Sequence, residues 1–232
     1  MNLKKIDFKA VNVIFYIAGM FSIAFGVVFM IRSDIGTSSW DSLHWSINQL
    51  FELRFGVMWF TVGLATIVVA TTFMIIVIIM NKSIRYLIMS IPILSVGFMI
   101  DFIAKVLLPN FEPELLGFQL LTYLGGALLL PLGGSLLIIS TFPAGIFDEF
   151  NLTLMRKFKS DNLVLIRVIM ELLAVLTALI LGSIAGIGFG NVKIGTLIFS
   201  LIVGKILKTY LIIFEKLGLY EITKNEIKKE IE

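Results

Sequence analysis

Two polar stretches, residues 32–44 and 141–151, carry the side chains of this chain that could do chemistry. Each breaks at glycine or proline (Gly36; Pro143 and Gly145), presents small residues, and then places an aspartate, Asp41 or Asp148, near the start of an amphipathic run. Leu43, Ile47, Leu50 and Phe51 follow Asp41 at helical spacing, and Phe150, Leu154 and Phe158 follow Asp148. A carboxylate there either satisfies the free N–H groups of a helix start or faces a polar pathway. His44 lies one helical turn after Asp41, as its pH-sensitive partner or as a lone interfacial polar residue. Trp40 stands directly before Asp41.

A second set of candidates lies inside apolar runs: Asp101 and Lys105, Arg167 and Glu171, Lys205 and Lys208. A charge at the bilayer centre costs at least ~2.5 kcal/mol unless paired or hydrated, so each needs a reason. At 1.5 Å per helical residue, Glu171 falls about 12 Å along its run and Lys205 about 16 Å along the next, both near mid-depth. The expectation is that Glu171 and Lys205 face the interior as a pair. Asp101 with Lys105, and Arg167 with Glu171, are also spaced i,i+4 and can neutralise each other locally as structural ties. Lys105 and Lys208 can snorkel toward an interface.

The elements that must position these groups are membrane helices. The chain has 232 residues, 58% of them hydrophobic and 15% charged. Its mean hydropathy of +1.01 suits lipid as a solvent. Six runs are long enough to cross a bilayer: 11–31, 57–80, 87–108, 115–140, 163–187 and 194–214. They are continuous rather than alternating, which excludes a β-barrel pattern, and lipid leaves helix as their only conformation. With no cysteine and one histidine, thiolate and histidine-cluster metal sites are excluded. No nucleotide loop, nucleophile elbow or zinc spacing marks an enzyme, no cofactor is implied, and nothing points to nucleic acid. The fold expected is all-α, one polytopic membrane domain whose partners are the lipid bilayer and a small-molecule substrate.

An offset of 107 residues aligns Tyr16 with Tyr123, Gly19 with Gly126, Gly26 with Gly133, Asp41 with Asp148, Phe51 with Phe158 and Gly97 with Gly204. Leu94 and Val96 meet Leu201 and Val203 in the same register. The chain reads as two like halves, about 8–108 and 115–215, with a charged tail at 216–232. Each half holds three crossings and one short amphipathic or re-entrant helix after the first. Three is odd, so the second half enters inverted, an architecture of secondary transporters. An interior duplicate of the first span also argues against a cleaved signal segment. The lysines and arginines at 4, 5, 9, 82, 85, 156, 157, 159, 216, 224, 228 and 229 then share one side, which predicts cytoplasmic termini. The matched glycines are expected at close helix approaches, and Gly182, Gly186, Gly188 and Gly190 at the last turn.

The segment 31–43 resembles that of the YczE-like bacterial membrane proteins, related to the broader YitT/YyaS group. Gly36, Trp40, Asp41 and Leu43 match a Gly-x-x-Pro-Trp-Asp-x-Leu pattern, with Ser39 at the proline position. Gly145, Phe147 and Asp148 match its second-half counterpart, with Ile146 at the proline position, and Arg167 and Glu171 fit a recurring feature of the fifth span. The resemblance implies a bacterial cytoplasmic-membrane protein and leaves its activity open. The leading expectation is a transporter or permease-like protein. Its substrate-pathway candidates are Asp41, His44, Asp148, Arg167, Glu171 and Lys205, with Asp101, Lys208 and Trp40 secondary. The alternative is a non-transporting scaffold or accessory protein. A cavity reaching Asp41, Asp148 and Glu171 would favour the first; a solid core with Glu171 fully paired would favour the second.

Overall fold

The computed structural model describes residues 10–140, 142, 143, 145–159 and 163–219. The N-terminal lysines, most of the charged tail, and residues 141, 144 and 160–162 of the second polar stretch and its sequel lie outside the described residues. Every regular element described is helical: α1 (Ala10–Arg32), α2 (Ser39–Phe55), α3 (Val62–Asn81), α4 (Ser90–Phe102), α5 (Leu116–Ile139), α6 (Ile146–Phe158), α7 (Leu163–Ala185) and α8 (Ile194–Lys216). Six segments among the described residues are long and apolar enough to cross a bilayer. These are α1, α3, α5, α7, α8 and a composite, Ile84–Leu107, in which α4 is extended by a 3₁₀ turn before it (Ile84–Met89) and a π-helical turn after it (Ile103–Leu107). The protein is therefore a multi-pass helical membrane protein.

Two spans depart from their sequence outlines for local backbone reasons. The run expected from residue 57 begins at Val62. Gly56, at φ 66°, ends α2 in the left-handed region and returns its N–H to Phe51 O. Thr61 then caps α3, accepting from Leu64 N at 3.1 Å. The apolar residues between form the turn because two helix ends claim the backbone there. The third run is helical throughout but changes gauge twice. Pro92 falls in the first turn of α4, where its missing N–H disturbs no internal bond.

α1 and α5 cross antiparallel at the centre of the bundle, the most extensive contact in the molecule. They meet through glycines. A Cβ on Gly26 would fall 2.8 Å from Leu130 N, and one on Gly126 would fall 2.7 Å from Gly26 O. At the other end of the crossing a Cβ on Gly133 would fall 2.5 Å from Gly19 O. Gly19 thus meets Gly133 and Gly26 meets Gly126, and each pair becomes the other under the 107-residue offset. Between them the Ser22 hydroxyl donates to Leu129 O at 2.8 Å, across the same 107 residues. The turns after the two helices repeat as well. Ser33 Oγ donates to Met30 O at 2.7 Å and accepts from Ile35 N at 3.3 Å. Ser140 Oγ donates to Leu137 O at 2.7 Å and accepts from Phe142 N at 3.3 Å.

Around this crossing α4 packs on α1 and α8 on α5; α7 packs on α2 and α3 on α6. The correspondence is not complete. α3 and α4 pack closely, whereas α7 and α8 scarcely touch.

Candidate functional site

The polar stretches plunge into the bundle. The strand-like segment after α1 is strapped to the start of α8: Gly195 N donates to Ile35 O at 3.1 Å, and Thr37 N to Thr196 Oγ1 at 3.1 Å. Gly36, at φ 140°, lets the backbone lie against Thr196 N, where any Cβ would collide. Ser39 then meets Ser200 at 3.2 Å, one turn deeper along α8. From there α2 runs back outward beside α7, until Arg54 Nε donates to Ile184 O at 2.6 Å. α6 does the same from the opposite end, running beside α3 until Thr153 meets Asn81 at 3.0 Å. The starts of α2 and α6 meet where Trp40 stacks on Phe147, with ring centroids 4.1 Å apart and planes at 17°. Phe73, in the middle of α3, touches both rings edge-on at 5.2 and 5.5 Å. The starts of both short helices are therefore enclosed within the bundle, level with the middle of α3.

Around this stack lies the polar cluster. Ser38 caps α2, accepting from Asp41 N at 3.1 Å, and its hydroxyl also donates to the Asp41 carboxylate. Asp41 is thus a first-turn residue and not the cap itself. It is buried at 7% exposure, and its other oxygen lies 3.6 Å from His44 Nδ1. His44 is buried at 1%, so its interfacial reading is overturned. The Thr66 hydroxyl donates to Val62 O at 3.0 Å, so its oxygen accepts from His44 Nδ1–H at 3.2 Å. Nε2 is then the acceptor nitrogen, and it is buried with no partner among the described residues. The equivalent residue of α6, Asn151, likewise buries an unpartnered Oδ1.

Glu171 of α7 faces this cluster. Its carboxylate is within hydrogen-bonding reach of Ser39 and is surrounded by Arg167, Asp148 and Asp41. Arg167 is shared: its guanidinium lies 3.7 Å from Asp148, both side chains being part-exposed. Asp41, Asp148, Arg167 and Glu171 thus lie close enough to act on one another electrostatically, and among the described residues Asp148 is the carboxylate within 4 Å of the guanidinium.

The structure thus brings together Asp41, His44, Asp148, Arg167, Glu171 and Trp40. It does not bring in Lys205. That residue is exposed on α8, and among the described residues no carboxylate pairs with it, because α8 leans on α5 and not on α7. Lys208 is exposed on the same helix. Asp101 does not pair with Lys105. Its oxygens accept from Gly63 N at 3.1 Å and from the Thr61 hydroxyl, because the α3–α4 approach at Gly63 and Gly97 presents the first amides of α3 to it. Hydropathy gave no sign of Ser38, Thr66, Thr196 or Ser200, because a hydroxyl in an apolar helix usually bonds its own preceding turn. Phe147 stands beside Asp148 in the second-half pattern of the YczE-like resemblance.

A cavity of about 730 Å³ opens at the Arg32 end, lined among others by Arg32, Asn48, Glu52, Asp101 and Lys105. It reaches Trp45 and Thr61 but not Asp41, Asp148 or Glu171. At the other end Glu149, buried at 7%, takes Arg156 at 2.6 Å, and Arg156 also reaches Thr153 at 3.1 Å. Arg156→Ala is expected to lower stability by ~2 kcal/mol, less than for a fully enclosed pair because the guanidinium is part-exposed. Adding Glu149→Gln should recover most of it. Thermal unfolding in detergent checks both; an unchanged midpoint for Arg156→Ala would show that water already serves Glu149.

No curated protein and no solved structure shows significant similarity to the chain. One family model matches residues 10–211, from the first residue of α1 into the last turns of α8. On that match the chain belongs to a family of unknown function, DUF6198.

Proposed function

We propose that this protein is a small-molecule transporter of the bacterial cytoplasmic membrane, built from two inverted repeats with both termini cytoplasmic. The observation that carries the reading is the meeting of two re-entrant helix starts, Trp40 on Phe147, at mid-bundle beside Glu171. Helices broken at membrane depth are tolerated only where they line protein or a pathway, and paired ones from opposite ends are a transporter device. The glycine crossing of α1 and α5 and the repeated serine turns support the inversion. The membrane assignment follows the YczE-like resemblance, and the termini follow the lysine and arginine bias. Three carboxylates against one guanidinium favour a cationic solute.

The test is an uptake screen of cationic metabolites in vesicles reconstituted with the purified chain. Glu171→Gln and Asp41→Asn keep shape and remove charge. Each is expected to cut flux about tenfold, the equivalent of ~1.4 kcal/mol in the barrier. Equal flux in all three proteins would remove the site. The accessory-protein reading is favoured by one observation, the cavity that stops short of Asp41. It wins if folded wild type moves no solute.

A further inference from the structure

Along α8, Leu201, Gly204, Lys205, Lys208 and Ile212 fall on one face, and all five are exposed. The 107-residue offset sets Gly204 where Gly97 stands in the first half. A Cβ on Gly97 would overlap Ile67 and the Gly63 carbonyl, so α4 lies sealed on α3, and Asp101 clasps the pair through Thr61 and Gly63. A Cβ on Gly204 would meet nothing within 4 Å. The second half thus leaves a cleft beside α8 where the first has a helix contact. Lys208, the counterpart of Asp101, and Lys205, one turn before it, put two ammonium groups on that cleft within a span. Among the described residues no carboxylate pairs with either. The carboxylates of the polar cluster are committed elsewhere. Glu171 reaches Ser39, which meets Ser200 about two turns from Lys208, and Asp148 faces Arg167. Charge inside a span is costly unless it is paired or hydrated, so the two lysines call for an anion from outside the chain.

We propose that this cleft seats an anionic phospholipid of the leaflet at the Lys216 end, its phosphate held by Lys205 and Lys208 and an acyl chain lying over Gly204 and Leu201. The depths suit it. Lys208 lies about 12 Å and Lys205 about 16 Å from the Lys216 end of α8, so both ammonium groups snorkel toward that end, while the deeper Gly204 and Leu201 receive the chain. A net-anionic headgroup balances the two lysines, whereas a zwitterionic one brings a cation of its own. Basic pockets between spans on the cytoplasmic side bind anionic headgroups in this way. A second copy of the chain fits the face less well. Protomers related by a two-fold axis along the membrane normal meet at equal depths, which would set lysines against lysines. The lipid seat goes beyond the transport reading and does not need it; only the naming of its leaflet as cytoplasmic rests on the termini proposed above.

The full chain, purified in detergent, is titrated with phosphatidylglycerol and separately with phosphatidylcholine of the same acyl chains, and bound lipid is read by native mass spectrometry. Phosphatidylglycerol is expected to bind the more tightly. Lys205→Gln or Lys208→Gln should weaken it about fivefold, and the two together about thirtyfold, with phosphatidylcholine little changed. Gly204→Leu should fill the cleft and weaken both lipids, and it should fold because nothing lies within 4 Å of the added Cβ. Lys105→Gln, on another span, should leave both affinities as they are. Thermal unfolding without added lipid identifies the variants that are folded. Equal affinity for the two lipids in wild type overturns the proposal, as does phosphatidylglycerol binding indifferent to the double lysine variant. Glycerol 3-phosphate that displaces the lipid at equal concentration reveals a site for a free anion and overturns the lipid seat. A wild-type dimer that Gly204→Leu abolishes assigns the face to a second copy and overturns it as well.

Discussion

Gly133→Leu is expected to prevent assembly of the bundle. The residue sits where α5 crosses α1, and even a single Cβ there would lie 2.5 Å from Gly19 O and 2.7 Å from Ile23 N. Both are backbone atoms, so no side chain can swing aside; the helices themselves must part. Parting them undoes the largest helix pair and the Ser22–Leu129 bond between them. Overpacking a yielding site costs about 1–3 kcal/mol, and this unyielding one should exceed that range. Lipid offers no hydrophobic drive to hold the helices together, so close packing carries the association. Gly133→Ala should already lower the melting midpoint clearly. Gly125→Ala, whose nearest neighbour would be the Phe29 ring at 3.5 Å, should leave it unchanged. Size-exclusion profiles after heating in detergent read the series. A folded, monodisperse Gly133→Leu would show that the crossing is not the structural axis of the protein.

Asp101→Leu is expected to open the α3–α4 clasp and cost about 2–3 kcal/mol, since bonds to a charged acceptor are worth roughly 1.5–3 kcal/mol each and this site borders a cavity. Two donors lose their acceptor: Gly63 N, a first-turn amide with no helical partner, and the Thr61 hydroxyl that caps the same helix. Asp101→Asn keeps one acceptor and should fall between. Lys105→Gln should change little, because Lys105 does not take part. A double-mutant cycle of Asp101→Ala with Thr61→Val, read by thermal unfolding, should show coupling near 1 kcal/mol. Additive effects would mean that Asp101 serves the cavity and not the clasp.

The sequence by itself determined the membrane helices, because twenty apolar residues in a row have one way to satisfy their backbone in lipid. It determined the glycines of the central crossing and the aspartates of the two polar stretches through a fixed offset, which survives because equivalent positions face equivalent neighbours. It located Glu171, Arg167 and Asp148 without showing that they share one space. Tertiary structure decided the rest. Hydropathy ran the second span through residues 57–61, where a left-handed glycine and a threonine cap end one helix and start another. Charge spacing paired Asp101 with Lys105 and Glu171 with Lys205, because i,i+4 neighbours and equal depths are all that a sequence displays. Which face of a helix meets which neighbour depends on crossing angles set by distant glycines. Only the packed bundle could show that Asp101 grips α3, that His44 is enclosed beneath Thr66, and that α8 leaves Gly204 open and Lys208 exposed.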